Sequence, residues 1–156
     1  MRFLVINGPN LNMLGIREPD IYGKQDYRAL VGFIGQAAEE AGVSAEVFQS
    51  NGEGEIVTAI QEALGKFDGI VINPAAYTHT SIAILDALKA VGLPAVEVHL
   101  SDIAAREPFR QISYPGMYCV KTFKGLGFEG YRQAIFFLRD YVAVMLSEDP
   151  DEVPWR

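Results

Sequence analysis

Five short apolar runs punctuate the chain: FLVIN (3–7), AEVFQ (45–49), GIVIN (69–73), AVEVH (95–99) and MYCVKTF (117–123). Their length and their Val, Ile and Phe content predict β-strands. Stretches of helical period separate them at 26–41, 54–66, 80–91 and 129–146, with a shorter one near 102–110. Asp26 is placed to cap the first helix and Gly42 to end it. Thr80 or Ser81 would cap the third, and Gly92 with Pro94 would close it. Parallel strands need a crossover, so successive βα units predict a parallel sheet with helices on both faces. The expected fold is α/β, a flavodoxin-like doubly wound five-stranded sheet of order 2-1-3-4-5. One domain, 1–146, is expected to precede an acidic tail, 147–156.

In such sheets ligands bind beyond the carboxyl ends of the strands. The polar residues that follow each run therefore form a candidate list. After the first come Asn7, Asn10 and Asn12, and after the second Gln49, Ser50, Asn51 and Glu53. Beyond the third lie Asn73, Tyr77, Thr78, His79, Thr80 and Ser81. The fourth ends in Glu97, His99, Ser101 and Asp102, with Arg106 and Arg110 further on. Turn formation accounts for the Asn and Ser residues. It does not account for both histidines of the chain falling at one edge, which points to a functional cluster.

Composition narrows the partners. A net charge of −7 over 156 residues argues against general phosphate-backbone binding, which needs a basic face. No apolar run approaches the roughly 20 residues of a spanning helix. The opening MRFLVINGPN reads as a first strand and not as a cleaved leader. A lone Cys119 cannot form an internal disulfide, which fits a reducing, cytoplasmic setting. Within MYCVKTF it reads as a buried structural thiol.

Several motifs compete. GLGFEG (125–130) matches a dinucleotide-binding glycine pattern, but only one helix follows it and no further strand is left to carry the ribose-binding acid. Its glycines read better as a turn with close packing. GPNLNMLG lacks the Lys-Ser/Thr ending of a phosphate-binding loop, and no G-x-S-x-G elbow presents Ser81 or Ser101. A phospho-acceptor module would place acids where Asn7 and Asn73 stand. The two histidines lack companions at metal-ligand spacing. What remains is acid/base work on a small anion. Histidine moves the proton, and arginine with backbone N–H groups holds a carboxylate. Arg106 and Arg110 share a face if their segment is helical, equally as ligands or as a solvated ladder with Glu107.

Four stretches carry a family resemblance: NGPNLNMLGIREPDIYG, QSNGEGEIV, INPAAYTHTSIAILDAL and EVHLSDIAAREPFR. In order and spacing they resemble the type II 3-dehydroquinate dehydratases over about residues 3 to 113, and GYRQAI (130–135) adds a weaker match. The resemblance implies anti elimination of water from 3-dehydroquinate through an enolate, giving 3-dehydroshikimate in the shikimate route to aromatic amino acids. It implies no cofactor, no metal, no covalent intermediate, and a dodecamer built as a tetramer of trimers.

Residue by residue, Tyr22 matches the base that removes the C2 proton and Arg17 the essential arginine beside it. A free phenol is about one part in a thousand ionised at pH 7, a penalty of roughly 4 kcal/mol that a neighbouring guanidinium lowers. Gly15 and Gly23 suit a lid that carries both. His99 matches the general acid for the departing C1 hydroxyl and Glu97 its orienting partner. Asn10 matches a residue holding a water that stabilises the enolate. Asn73 and the amides near Leu100 and Ser101 match a carboxylate subsite, and His79 and Arg110 match ligands of the ring hydroxyls. Arg106 matches a second arginine of lid closure or structure, and Asp86 a residue reaching a neighbouring subunit's site.

Two places depart from the family pattern. Asp102 stands where Asn is usual; facing the ligand it would harm affinity, whereas capping the short helix it would change little. YPGMYCVKTFKG replaces a smaller, glycine-containing segment. A non-catalytic flavodoxin-like module binding a small anion or nucleotide is the alternative, though it has no need of Arg17 and Tyr22 together.

Overall fold

Side chains of a strand point alternately to opposite faces, and in the three central runs, FLVIN, GIVIN and AVEVH, both faces are buried, so these strands must be covered twice. The computed structural model describes residues 1–16 and 25–147. Its strands are β1 (Arg2–Asn7), β2 (Ser44–Gln49), β3 (Gly69–Asn73), β4 (Ala95–His99) and β5 (Lys121–Lys124). Its helices are α1 (Tyr27–Ala41), α2 (Glu53–Glu62), α3 (Ile82–Val91) and α4 (Glu129–Ser147). The strands form one parallel sheet in the order β2-β1-β3-β4-β5, as expected.

Alternation sorts the core into two layers. Phe3, Val5, Val71, Val96 and Val98 pack with Leu30 and Ile34 of α1 and with Ile135 and Leu138 of α4. Leu4, Ile6, Ile70, Ile72 and Ala95 pack with Ile56 and Ile60 of α2 and with Ile84 and Leu88 of α3. Asp26 caps α1, its Oδ1 accepting from the Ala29 N–H at 2.8 Å, and Gly42 ends it at φ 71°. At α3 the cap is Ser81, not Thr80, with Oγ accepting from the Ile84 N–H at 3.0 Å. Both roles follow from the ordinary chemistry of helix ends.

Three expected elements differ. The fifth strand does not begin at Met117. Pro115–Met117 is a 3-10 turn, and the Met117, Tyr118 and Cys119 N–H groups donate back to Tyr114 and Pro115 carbonyls, so they cannot join the ladder. The 102–110 segment is two 3-10 turns, Ile103–Ala105 and Pro108–Arg110. Pro108 has no N–H to continue a helix, and the chain before it is extended from Arg106 onward. Arg106 and Arg110 therefore do not share a helix face. Finally, α2 stops at Glu62, short of the expected 66. Apart from Ser147 at the end of α4, the tail lies outside the described residues.

Candidate active site

Two polar clusters sit at the carboxyl edge of the sheet, one on each face. Glu97 and His99 are two apart on β4 and share the face that Ala95 gives to α3. His99 Nε2 lies 2.6 Å from Glu97 Oε1, with both residues buried. Two further donors reach the same carboxylate: Ser113 Oγ to Oε1 at 2.6 Å and Thr122 Oγ1 to Oε2 at 3.1 Å. Gly116 closes the cage, because a Cβ there would overlap Glu97 Oε2 and Ser113 Oγ.

Burial by itself would raise the Glu97 carboxyl. The His99 hydrogen bond and charge, with Ser113 and Thr122, outweigh it and hold the group below its ordinary range. Glu97 is thus a carboxylate at neutral pH and accepts from His99. The imidazole keeps its Nε2 hydrogen, and Nδ1 is left as the atom free to exchange a proton.

On the opposite face Asn7 and Asn73, register partners at the ends of β1 and β3, meet Tyr131 of α4. Asn73 Nδ2 donates to Tyr131 OH at 2.8 Å, and that hydroxyl donates to Asn7 Oδ1 at 2.7 Å. Asn73 Oδ1 accepts from the Ala75 N–H at 3.1 Å, where the backbone takes a left-handed φ of 53°. Asn7 Nδ2 is buried without a hydrogen-bond partner among the described residues.

His79 ends the 3-10 turn Ala75–His79, its Nδ1 2.8 Å from the Ile112 carbonyl. A carbonyl can only accept, so Nδ1 carries the hydrogen and Nε2 is the free atom. Asn10, in the left-handed region at φ 70°, donates its N–H to Asn51 Oδ1 at 3.0 Å. Gln49 Nε2 reaches the same Oδ1 at 3.2 Å, and Tyr77 OH donates to the Asn51 carbonyl at 2.7 Å. Asn51 thereby ties together the loops after β1, β2 and β3.

Arg110 Nε pairs with Glu107 Oε2 at 2.8 Å, and its guanidinium lies over the Phe109 ring, 5.3 Å from the centroid. Arg106 is exposed, as is Asp86 on the outer face of α3; Leu100 and Ser101 are half-buried in the bend after β4. Arg17 and Tyr22 lie outside the described residues. Gly15, just before them, packs against Asp26, just after them. Asp102 caps the first 3-10 turn, Oδ1 accepting from the Ala104 N–H at 3.0 Å.

A groove of about 860 Å³ lies between β2 and α2, bounded by Arg2, Phe48, Glu55 and Lys66. None of the candidate residues lines it. A large space without an activated acid or base is a weaker guide to chemistry than the small caged pair on β4.

The description of class II dehydroquinases matches residues 1–139 of this sequence. The chain belongs to that family. It is 50% identical over 143 residues to a 3-dehydroquinate dehydratase of Clostridium acetobutylicum, covering 92% of this chain and 99% of the relative. It is 52% identical over 142 residues to one from Aliarcobacter butzleri, covering 91% and 87%. Among solved structures, the type II dehydroquinase of Butyrivibrio crossotus superposes with a TM-score of 0.84 at 49% identity, over 88% of this chain and 97% of that one.

Within this class II dehydroquinase, sequence reasoning missed Ser113, Gly116 and Thr122 around Glu97, and Tyr131 between the asparagines. Gly116 and Thr122 fall in the divergent segment, and Ser113 stands just before it. Tyr131 left one trace, in GYRQAI. Beside it, GLGFEG does make a turn: Gly125 and Gly127 have φ of 75° and 57°, and Gly130 packs on Val98. Cys119 is half-buried, and burial followed by the Glu97 charge pushes its thiol up, as suits a structural residue.

Proposed function

We propose that this chain dehydrates 3-dehydroquinate to 3-dehydroshikimate by anti elimination, acting as one catalytic domain over 1–146. The observation that carries the reading is the caged His99–Glu97 pair at the end of β4 in a chain of this family. Tyr22, held as phenolate by Arg17, takes the C2 proton, and the electron pair moves into an enolate. The pair then returns to form the C1–C2 double bond, and the C1 hydroxyl leaves as water with a proton from His99. Glu97 stabilises the imidazolium before that transfer and sets which nitrogen faces the substrate. Asn10 holds a water on the enolate oxygen. Asn73 and the Leu100 and Ser101 amides take the carboxylate. His79 and Arg110 hold ring hydroxyls, and Arg106 supports closure. No cofactor enters this scheme.

Asp86, exposed on α3, reaches the neighbouring subunit's site in a dodecamer of four trimers, and the enzyme works in the cytoplasm. Among the described residues no helix is long and apolar enough to cross a membrane. A bare anion-binding module is disfavoured because the caged pair equips the site for proton transfer.

Mixing the protein with 3-dehydroquinate and following enone absorbance tests the reaction, with a chelator arm to test any metal dependence. Turnover is expected, and none at all would sink the reading. Arg17→Ala is expected to keep the fold and cut kcat severely; near-normal turnover would remove Arg17 from its role.

A further inference from the structure

The order β2-β1-β3 puts the reversal of the doubly wound sheet between β1 and β3, the crevice where such folds bind ligands. Tyr131 fills the α4 side of that crevice. It is fully buried, and its hydroxyl links the side-chain amides of the two strand-end residues, Asn7 and Asn73.

Proton counting gives the link a direction. The Ala75 N–H donates to Asn73 Oδ1, which settles which end of the amide is oxygen. Asn73 Nδ2 must then donate to the Tyr131 oxygen, and the single phenolic hydrogen must go to Asn7 Oδ1. An amide nitrogen has two hydrogens and Tyr131 takes one. The other remains for a ligand, and it cannot be exchanged for the carbonyl without breaking both bonds.

We propose that Tyr131 is a positioning residue of the dehydration site. Its hydroxyl locks the Asn73 amide with N–H, not oxygen, turned to the substrate carboxylate. The proposal rests on the carboxylate role given to Asn73 above. Without the hydroxyl, the amide keeps only the Ala75 bond and can turn its oxygen toward an anion, which repels it. The effect belongs to substrate binding and leaves proton transfer at His99 and Tyr22 alone.

Steady-state kinetics of Tyr131→Phe, Asn73→Ala and the double variant test this. Tyr131→Phe keeps the ring in the core and is expected to raise KM about tenfold, with kcat within about twofold of the parent. In the Asn73→Ala background the same change is expected to add nothing. A lower Tm with unmoved KM in Tyr131→Phe, while Asn73→Ala still raises KM, overturns the proposal and leaves the reading of Asn73 standing. Unmoved KM in Asn73→Ala overturns both. Should Tyr131→Phe fail to fold, Asn7→Ser withdraws the acceptor of the phenolic proton: raised KM supports the proposal and unchanged KM overturns it.

Discussion

On the α3 side of the sheet the strand ends carry an ionisable pair, His99 with Glu97, inside a cage of hydroxyl donors. On the α4 side they carry only neutral groups, Asn7, Asn73 and Tyr131. Both clusters are buried and hydrogen-bonded, yet the bonds act on different variables. Around Glu97 each donor favours the charged form and so sets who holds a proton. Around Asn73 each bond sets only which way an amide faces. The first cluster should therefore govern kcat and its pH dependence, and the second KM.

The largest break in that comparison is His99→Ala. General acids contribute about 10²- to 10⁴-fold, and a loss of that order in kcat is expected with KM changed little. A KM effect alone would merge the two clusters into one binding site.

Next comes Thr122→Val, which removes one donor from Glu97 Oε2 and keeps the shape. The carboxyl pKa then rises from its depressed value toward or past the ordinary 4.5. A group whose folded pKa is lowered stabilises the fold above its unfolded pKa and loses that contribution as pH falls through the folded one. The variant should therefore lose stability at neutral pH, and its acid unfolding midpoint should move to higher pH. The acid limb of kcat should move the same way, with no more than about a threefold loss at neutral pH, where a carboxyl near its ordinary range is still ionised. An acid limb that stays in place would show that Thr122 does not tune the pair.

The fold and the β4 pair were legible because they depend on local periodicity. Strand alternation alone puts Glu97 beside His99, and the apolar runs alone give the sheet. The rest depends on long reach. Ser113 and Thr122 meet Glu97 across 16 and 25 residues, and Tyr131 meets Asn7 across 124. No spacing rule encodes those contacts. The condition on which Arg106 and Arg110 would share a face, a helical segment, is not met for a local reason, Pro108, which is visible in the sequence.

The smallest expected effect tests where the site ends. Asp102 stands where the resemblance leads one to expect Asn, and its charge would oppose a substrate carboxylate bound near Ser101. Its geometry argues otherwise. Oδ1 caps the Ile103–Ala105 turn and lies 3.9 Å from Lys124 Nζ, a partner of opposite sign. That side chain is about half exposed, so solvent screens what charge is left. Asp102→Asn keeps the cap oxygen and removes only the charge. KM and kcat are expected to stay within about twofold of the parent at moderate salt. A severalfold fall in KM that fades as salt is raised would put Asp102 inside the field of the carboxylate subsite and widen the site beyond the two clusters.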